Sequence, residues 1–256
     1  MSSLLDGRSE VDLRNDILSG IAGENSLFPK GWYDPPPGGT SVLFGTSPFD
    51  RLKYETIRDP FFWPRESFRF ERETVGFVYA SSVDTTTGMM GDHGFTVYSG
   101  SDGRIAQHIR RVYETIYTVA DLAQVGMKFS ALYAEAMQVF RKQHVAIRWM
   151  TTHNDTQKTN LGHTVPGSFD GDDPYLGTFE EIKERITKGR IFINEIEDFS
   201  ILPTCAFTVE ARLVDTEYPE LPNTFFHFIV TFSNGQKHTL SDFDDIFRDV
   251  GMSYML

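Results

Sequence analysis

Two apolar helix patterns follow one another in the middle of the chain. Apolar side chains recur at three- and four-residue spacing over residues 104–123 and again over residues 129–140, with Gly126 between the two runs. Such spacing places the apolar side chains on one face of each helix. The sequence therefore predicts two consecutive helices that each bury one face, with their aromatic and methionine side chains in the core.

Strand patterns lie on both sides of this helix pair. Runs rich in β-branched and aromatic residues occupy residues 40–45, 74–81 and 94–99 before it, and residues 207–214 and 225–232 after it. Such runs are typical of short strands. The sheets of this chain are therefore expected to be built from segments far apart in the sequence.

Two further helices are predicted outside the central pair. Ser9 followed by Asp12 resembles a capped helix start, and it predicts a helix over roughly residues 10–22. The spacing of Phe179, Ile182 and Ile186 predicts a short helix late in the chain. No linker or low-complexity tract divides the 256 residues, so one domain is expected.

Composition excludes several classes of partner. The net charge of −12 argues against nucleic acid, because binding to phosphate backbones relies on basic residues. No apolar run reaches the ~20 residues that cross a membrane, and the first residues lack the pattern of a secretory signal. The single cysteine, Cys205, excludes an internal disulfide and a cysteine metal cluster. A soluble, cytoplasmic protein without a membrane partner is expected.

Three residues are candidate metal ligands. Asp92 and His163 each follow a glycine, and Glu210 follows an apolar strand-like run. Two carboxylates and one imidazole, supplied by separate segments, are the minimum set for holding a divalent transition metal. The sequence therefore predicts a metal site at Asp92, His163 and Glu210.

Five segments match one family pattern in order. Residues 7–10 are similar to a Gly-x-Thr-Glu helix start, 88–96 to the surroundings of a metal-binding aspartate, 161–167 to a Gly-His-x-x-Gly motif, 207–210 to a Phe-Thr-x-Glu motif and 230–240 to a closing Val-Thr hairpin. Nearly the whole chain thus resembles the superfamily of methionine aminopeptidases, proline dipeptidases and creatinases. The resemblance implies an α+β pita-bread fold, with curved antiparallel sheets covered by helices and pseudo-twofold halves. It also implies a single domain over residues 1–256, without the extra N-terminal domain of proline dipeptidases and creatinases.

The chain departs from this family at positions that hold one of the family's two metals. Ser81 stands eleven positions before Asp92, where the resemblance implies another aspartate. Phe225 and Phe226 stand where a closing glutamate is implied, fifteen positions after Glu210. One of the two metals therefore lacks both the aspartate that would bind it alone and the glutamate that would bridge it to the other metal.

The remaining ligands imply a site for one metal ion instead of two. By resemblance Asp92, His163 and Glu210 hold the surviving metal, with His227 as a supplementary ligand or a catalytic group. One Fe, Mn or Zn ion with open positions can act as a Lewis acid or bind oxygen. The resemblance thus implies a metalloenzyme that acts on a small molecule rather than a standard peptidase.

The residues near two positions where the resemblance implies catalytic histidines are not histidines. Phe44 and Asp170 stand close to two positions where the resemblance implies histidines, and Asp170 is retained as a candidate catalytic residue. An apolar pocket for an aromatic or lipophilic substrate is expected, lined by Phe44, Ser81, Phe225 and Phe226.

Several alternatives stay open. The metal ligands could be relics in a metal-free pseudoenzyme or scaffold protein, although burying carboxylates without a cation is costly. A conventional X-Pro or methionine aminopeptidase is the third possibility. Glu195 also follows an apolar run and competes with Glu210 for the ligand role. A homodimer is implied by the resemblance alone.

Overall fold

A computed structural model defines the structure of residues 4–33, 38–56, 59–148, 161–172, 174 and 177–256. Within these ranges the chain forms five α-helices and eight β-strands. In chain order they are α1 (Glu10–Gly23), β1 (Thr40–Gly45), β2 (Val75–Ala80), β3 (His93–Tyr98), α2 (Gly103–Leu122), α3 (Phe129–Lys142), β4 (Val145–Ile147), α4 (Phe179–Gly189), β5 (Cys205–Val209), β6 (Leu213–Asp215), β7 (Phe228–Ser233), β8 (Gln236–Leu240) and α5 (Asp244–Asp249).

Helix α1 begins at the capping box that its sequence predicts. The Ser9 hydroxyl accepts the Asp12 N–H at 3.1 Å, and the Asp12 carboxylate accepts the Ser9 N–H at 3.1 Å. Each bond satisfies an amide near the helix start that has no partner within the helix. The predicted helix over residues 10–22 is confirmed to within one residue.

The two central helices confirm the predicted pair. Helix α2 buries a stripe that includes Ile109, Val112 and Ile116, and α3 buries Leu132 and Phe140. Both stripes belong to one continuous hydrophobic core. Full burial of such a side chain contributes about 1.5–3 kcal/mol, so these stripes are a main source of stability.

Strands β1, β2 and β3 form an antiparallel sheet in that order. Ser41 lies opposite Tyr79, and Leu43 lies opposite Phe77. Because side chains alternate across a strand and opposed residues point the same way, these four share one face. That face forms part of the wall of an internal cavity.

The second group of strands differs from its sequence prediction. The run over residues 207–214 forms two strands, because the chain leaves β5 after Val209 and resumes pairing with β4 at Leu213. Strand β7 begins at Phe228, three residues after the predicted start. Strand β4 and helix α5 were not predicted.

Strands β5, β7 and β8 form a second antiparallel sheet, and β4 pairs with β6. A single bridge between Phe95 and Phe226 links β3 to the segment before β7. Another, between Thr164 and Phe207, links β5 to the loop after residue 160. These bridges bring the ends of segments from both parts of the chain to the same cavity. In the described part of the chain, no helix combines the length and apolar character required to cross a membrane.

Candidate metal centre

Four side chains from four segments meet at the end of the cavity. Asp92 directly precedes β3, Glu210 directly follows β5, His227 directly precedes β7, and His163 lies in the loop that bridges to Phe192. Main-chain bonds hold these segments together. The His227 N–H donates to the Gly94 carbonyl at 2.8 Å, and the Glu210 N–H donates to the Leu161 carbonyl at 2.7 Å.

Strand breaks explain why these side chains reach the cavity. Glu210 lies in the short gap between β5 and β6, where the ladder is interrupted. His163 is fixed by its neighbour strand, because its N–H donates to the Thr208 hydroxyl at 3.0 Å and its carbonyl accepts the Thr208 N–H at 2.8 Å. Ligands on such anchored backbone need little rearrangement to share one ion.

Asp92, Glu210 and His227 each offer a donor atom, and these three atoms lie within 4.8 Å of one another, with His163 beside both carboxylates. His163 Nε2 is 3.3 Å from Asp92 Oδ2 and 3.7 Å from Glu210 Oε1. His227 Nδ1 is 3.1 Å from Asp92 Oδ1 and 3.6 Å from Glu210 Oε2. Metal bonds of ~2.0–2.2 Å separate neighbouring ligands by roughly 3.0–3.6 Å. Each imidazole thus faces one oxygen of each carboxylate.

The chemistry of this donor set fits a divalent cation. His163 Nδ1 lies 3.0 Å from the Thr164 carbonyl, an arrangement in which Nδ1 donates to that carbonyl and Nε2 faces the two carboxylates. Glu210 Oε2 is buried and has no hydrogen-bond partner among the described residues. A buried carboxylate oxygen without a partner, beside imidazole nitrogens, is what a metal ion would satisfy.

Asp92 and His227 shift the pKa of each other toward the charged form. Burial opposes ionisation of Asp92, but hydrogen bonds with His163 and His227 outweigh it and hold the pKa of Asp92 well below its usual range. Burial likewise opposes the charged form of His227, yet the charges of Glu210 and Asp92 raise its pKa. The Asp92 carboxylate is therefore ionised in the folded protein at neutral pH, the form that binds a cation.

Of the predicted pocket residues, Phe225 lines the cavity and the others do not. The Phe225 ring packs against Phe77 and His227, with centroids 4.7 and 5.2 Å apart. Phe44 lies on the opposite face of β1 from Ser41 and packs on the Phe70 ring. Phe44 is therefore a core residue, which corrects the prediction made from its position in the sequence.

Ser81 and Phe226 are also placed away from the cavity wall. The Ser81 hydroxyl donates to the Gly39 carbonyl at 3.0 Å and accepts the Tyr33 N–H at 3.2 Å, so it ties two loops together. The Phe226 ring points into the core against Tyr113. Ser81 is a structural hydroxyl, and Phe226 alternates with Phe225 to the other side of the chain.

Asp170 and Glu195 are both exposed residues. Asp170 does not contribute to the cavity wall, so its position gives no support for a catalytic role. Glu195 is likewise absent from the wall, whereas Glu210 belongs to it. The choice between the two glutamates therefore favours Glu210 on geometry.

Several wall residues were missed by the sequence reasoning. The cavity of about 100 Å³ is also bordered by Tyr79 and by three arginines, which are Arg148, Arg190 and Arg212. Tyr79 could have been found from strand alternation, since it shares the face of Phe77. The arginines carry no such signal, because Arg148 follows β4, Arg190 follows α4 and Arg212 precedes β6, all outside the periodic runs.

Comparison with known proteins identifies a matching family. The model of metallopeptidase family M24 matches residues 75–215, a span that includes Asp92, His163 and Glu210. No protein with a curated description matches the chain in sequence.

Solved structures share the fold over most of the chain. A dipeptidase from Pyrococcus horikoshii OT3 superposes with a TM-score of 0.60 and 14% identity, covering 93% of this chain and 53% of its own. An X-Pro aminopeptidase from Thermotoga maritima MSB8 gives 0.58 and 15%, covering 92% of this chain and 54% of its own. A methionine aminopeptidase from Thermotoga maritima gives 0.61 and 12%, covering 93% and 87%.

The chain thus spans about half the length of the dipeptidase and the X-Pro aminopeptidase. These likenesses establish the pita-bread α+β fold, and they confirm the resemblance drawn from the five sequence segments. Because the family model matches more than half of the 256 residues, the chain belongs to metallopeptidase family M24.

Proposed function

We propose that this chain is a metalloenzyme with one divalent transition metal, held by Asp92, His163, Glu210 and His227, and that it acts on a small molecule rather than on peptides. The observation that carries the proposal is the convergence of Asp92, Glu210 and His227, whose donor atoms lie within 4.8 Å of one another. The His163 imidazole lies beside both carboxylates, 3.3 Å from Asp92 Oδ2 and 3.7 Å from Glu210 Oε1, and could complete the set.

A second metal would lack ligands. Among the described residues, the cavity wall contains two carboxylates, Asp92 and Glu210, and both face the two imidazoles. Ser81, which stands where the family resemblance implies an aspartate, uses its hydroxyl on the Gly39 carbonyl. Phe225 presents an aromatic ring to the cavity instead of a carboxylate. Hydrolysis by a pair of metals that clamp one water is therefore disfavoured.

When bound, a single Fe, Mn or Zn ion would supply Lewis-acid chemistry at its open positions. The two carboxylates would offset its charge, and the Thr164 carbonyl would keep the His163 ring oriented. Beside them, burial and the charges of Asp92 and Glu210 raise the pKa of Tyr79 well above its usual range. Tyr79 therefore keeps its proton, and its hydroxyl donates a hydrogen bond to Asp92, which helps to orient that carboxylate.

Apolar side chains complete the site. Leu43, Phe77, Ile147 and Phe225 form much of the rest of the wall. A small cavity with such a lining excludes water and leaves little room for a polypeptide. This supports a compact substrate.

Metal analysis of the purified protein tests the proposal. We expect about one transition-metal ion per chain after loading with Mn, Fe or Zn and removal of the excess by gel filtration. His163→Ala and His227→Ala should each lower the bound metal at least about tenfold, because each removes a ligand. His238→Ala is the matched control, since His238 is exposed on β8.

The outcomes separate the competing functions. Two ions per chain, together with cleavage of Met-peptides or X-Pro dipeptides, would establish a conventional peptidase and overturn the proposal. No retained ion after loading with any of the three metals would instead establish a metal-free protein.

A further inference from the structure

Gly94 is a buried glycine in the middle of a row of three residues that crosses the sheet beside the candidate metal centre. On one side it lies opposite Tyr79 of β2. On the other it lies opposite His227, because the antiparallel bridge between Phe95 and Phe226 brings these two positions together, and the His227 N–H donates to the Gly94 carbonyl at 2.8 Å. Residues in such a row point to the same face of a sheet. The row from Tyr79 to His227 thus faces the cavity.

The two outer side chains of this row meet above the glycine. Neighbouring strands are about 4.8 Å apart, so the backbones of Tyr79 and His227 are separated by roughly 10 Å. Their ring centroids are nevertheless 5.7 Å apart, in an edge-to-face contact. Each ring therefore leans across β3 toward the other. The space above Gly94, called the notch below, is open to them because position 94 has no side chain.

A methyl group at position 94 would occupy the space that two rings already use. A Cβ atom added to Gly94 would lie 3.0 Å from His227 Nε2, 3.1 Å from His227 Cδ2 and 2.6 Å from Phe225 Cε2. Favourable contacts between carbon atoms lie at about 3.5–4.0 Å. One or both rings would therefore have to move.

The orientation of the His227 ring decides which of its atoms reach the carboxylates. Its Nδ1 lies 3.1 Å from Asp92 Oδ1 and 3.6 Å from Glu210 Oε2, whereas the edge formed by Nε2 and Cδ2 lies over Gly94. The ring is rigid, so a movement that lifts this edge out of the notch also moves Nδ1. The position of Nδ1 beside the two carboxylates thus depends on the empty space at residue 94.

We infer that Gly94 is a positioning residue of the metal centre, and that its notch holds the His227 ring with Nδ1 directed at the metal. A side chain at position 94 removes His227 from the ligand set. This inference rests on the proposed function for the metal itself, and on packing alone for the position of the ring. Because the three atoms nearest to an added Cβ belong to Phe225 and His227, the effect on the metal passes through the imidazole.

Metal titration of Gly94→Ala tests the inference. We expect Gly94→Ala to bind Mn about tenfold more weakly than the wild type, as for the loss of other groups that orient a metal ligand, and no more weakly than His227→Ala. In Co-loaded protein the visible absorption spectrum of Gly94→Ala should match that of His227→Ala, because both variants lack the same ligand. Gly103→Ala is the matched control, since a Cβ atom at Gly103 meets nothing within 4 Å.

Two double variants show through which ring the methyl group acts. Gly94→Ala combined with His227→Ala should bind Mn as His227→Ala alone does, since the ligand is already absent. Phe225→Leu removes the ring atom nearest to the methyl group but leaves the His227 contact, so Gly94→Ala should still weaken Mn binding in that background. If Gly94→Ala alone does not fold, as measured by circular dichroism, the added His227→Ala should restore folding, and continued failure would count against the inference.

A crystal structure of metal-free Gly94→Ala separates this inference from the proposed function. His227 Nδ1 should lie beyond hydrogen-bond distance of Asp92 Oδ1, in contrast to the 3.1 Å of the wild type. This displacement, in a protein whose wild type retains no metal, would overturn the metal proposal and leave the notch standing. Three results would instead overturn the notch: Mn binding that Gly94→Ala leaves unchanged, losses that add in the variant with His227→Ala, and recovery of binding with Phe225→Leu.

Discussion

Glu10, at the first turn of α1, is a fully buried carboxylate that holds three segments together. It forms an ion pair with Arg51, accepts the Phe44 N–H at 2.5 Å and accepts the Arg65 N–H at 2.9 Å. Burial raises the pKa of Glu10, whereas the Arg51 guanidinium and the two amides oppose that rise. The Phe44 bond fixes the start of α1 against the end of β1, and the ion pair ties it to the helical turn over residues 50–52.

Removal of Arg51 should therefore be costly. Arg51→Ala leaves the Glu10 charge buried without its cation, and we expect the free energy of unfolding at pH 7 to fall by about 3–5 kcal/mol in urea denaturation. Arg248→Ala is the control, because its pairs with Asp244 and Asp245 are exposed and should contribute less than about 1 kcal/mol. An equal loss in both variants would mean that Glu10 is buried as the neutral acid.

At the residue scale, the sequence located the candidate ligands more accurately than the residues of the pocket wall. Asp92, His163 and Glu210 converge in the structure, since each belongs to a local motif whose backbone dictates where the side chain points. Phe44 and Phe226 were misplaced, because a hydrophobic residue beside a strand end can face either side and the choice depends on register. Arg190 was not predicted as a wall residue, since its place over the Trp32 ring depends on a residue that is distant in the sequence.

At the scale of elements, Glu73 connects the start of β2 to the start of α2. Its carboxylate accepts hydrogen bonds from the Tyr98 hydroxyl, from the Ser101 hydroxyl at 2.7 Å and from the Ser101 N–H at 2.8 Å. The bonds from Tyr98 and Ser101 lower the pKa of Glu73 to about 2. The ionised carboxylate thus stabilises the junction that begins α2.

The stability contributed by Glu73 should depend on pH. Because its pKa is lowered on folding, this contribution is fully present above the pKa of an unfolded glutamate, about 4.3, and is lost as the pH falls toward about 2. Thermal unfolding of Glu73→Gln should show a melting temperature below wild type at pH 7, with a gap that narrows between pH 4.5 and 3.

Glu71→Gln serves as the control for this effect, since Glu71 is an exposed residue two positions away. Its melting temperature should follow that of the wild type throughout. A gap for Glu73→Gln that stays constant with pH would show that the charge of Glu73 contributes nothing.

Elements with strong periodicity were predicted well and short ones were not. Helices α1, α2 and α3 match their patterns closely, because apolar spacing that persists over three or more turns is compatible with a helix and not with a strand. Strand β4 spans three residues and pairs only with β6, so nothing in its local sequence distinguishes it from a loop. The gap at Glu210 was unpredictable for the same reason, since it depends on the exchange of partners from β7 to β4.

At the scale of the whole molecule, the candidate metal centre joins segments that lie far apart in the sequence. Asp92 and His227 are 135 positions apart, and their side chains meet at 3.1 Å. An ion bound by all four ligands stabilises only the folded chain, since the unfolded chain cannot assemble them. Global stability should therefore depend on metal concentration.

Thermal unfolding with and without metal checks this dependence. At a free metal concentration of 100 times Kd the stabilisation is about 2.7 kcal/mol. With a shift of about 2–4 °C per kcal/mol for a chain of this size, the melting temperature should rise by roughly 5–10 °C above that of chelator-treated protein. His227→Ala should lose this rise and His238→Ala should keep it. A metal-independent melting temperature in the wild type would contradict the proposed centre.

The separation of the ligands along the chain also has a consequence for biosynthesis. During translation Asp92 and His163 are made well before His227, and the backbone bond from His227 to Gly94 that aligns the site forms only after β7 has emerged. A ribosome adds about 5–20 residues per second, so the 135 positions between Asp92 and His227 take several seconds to synthesise. A complete ligand set for the proposed ion therefore cannot form on the early nascent chain, and we expect the identity of any bound metal to be decided late, by the ions available where folding finishes.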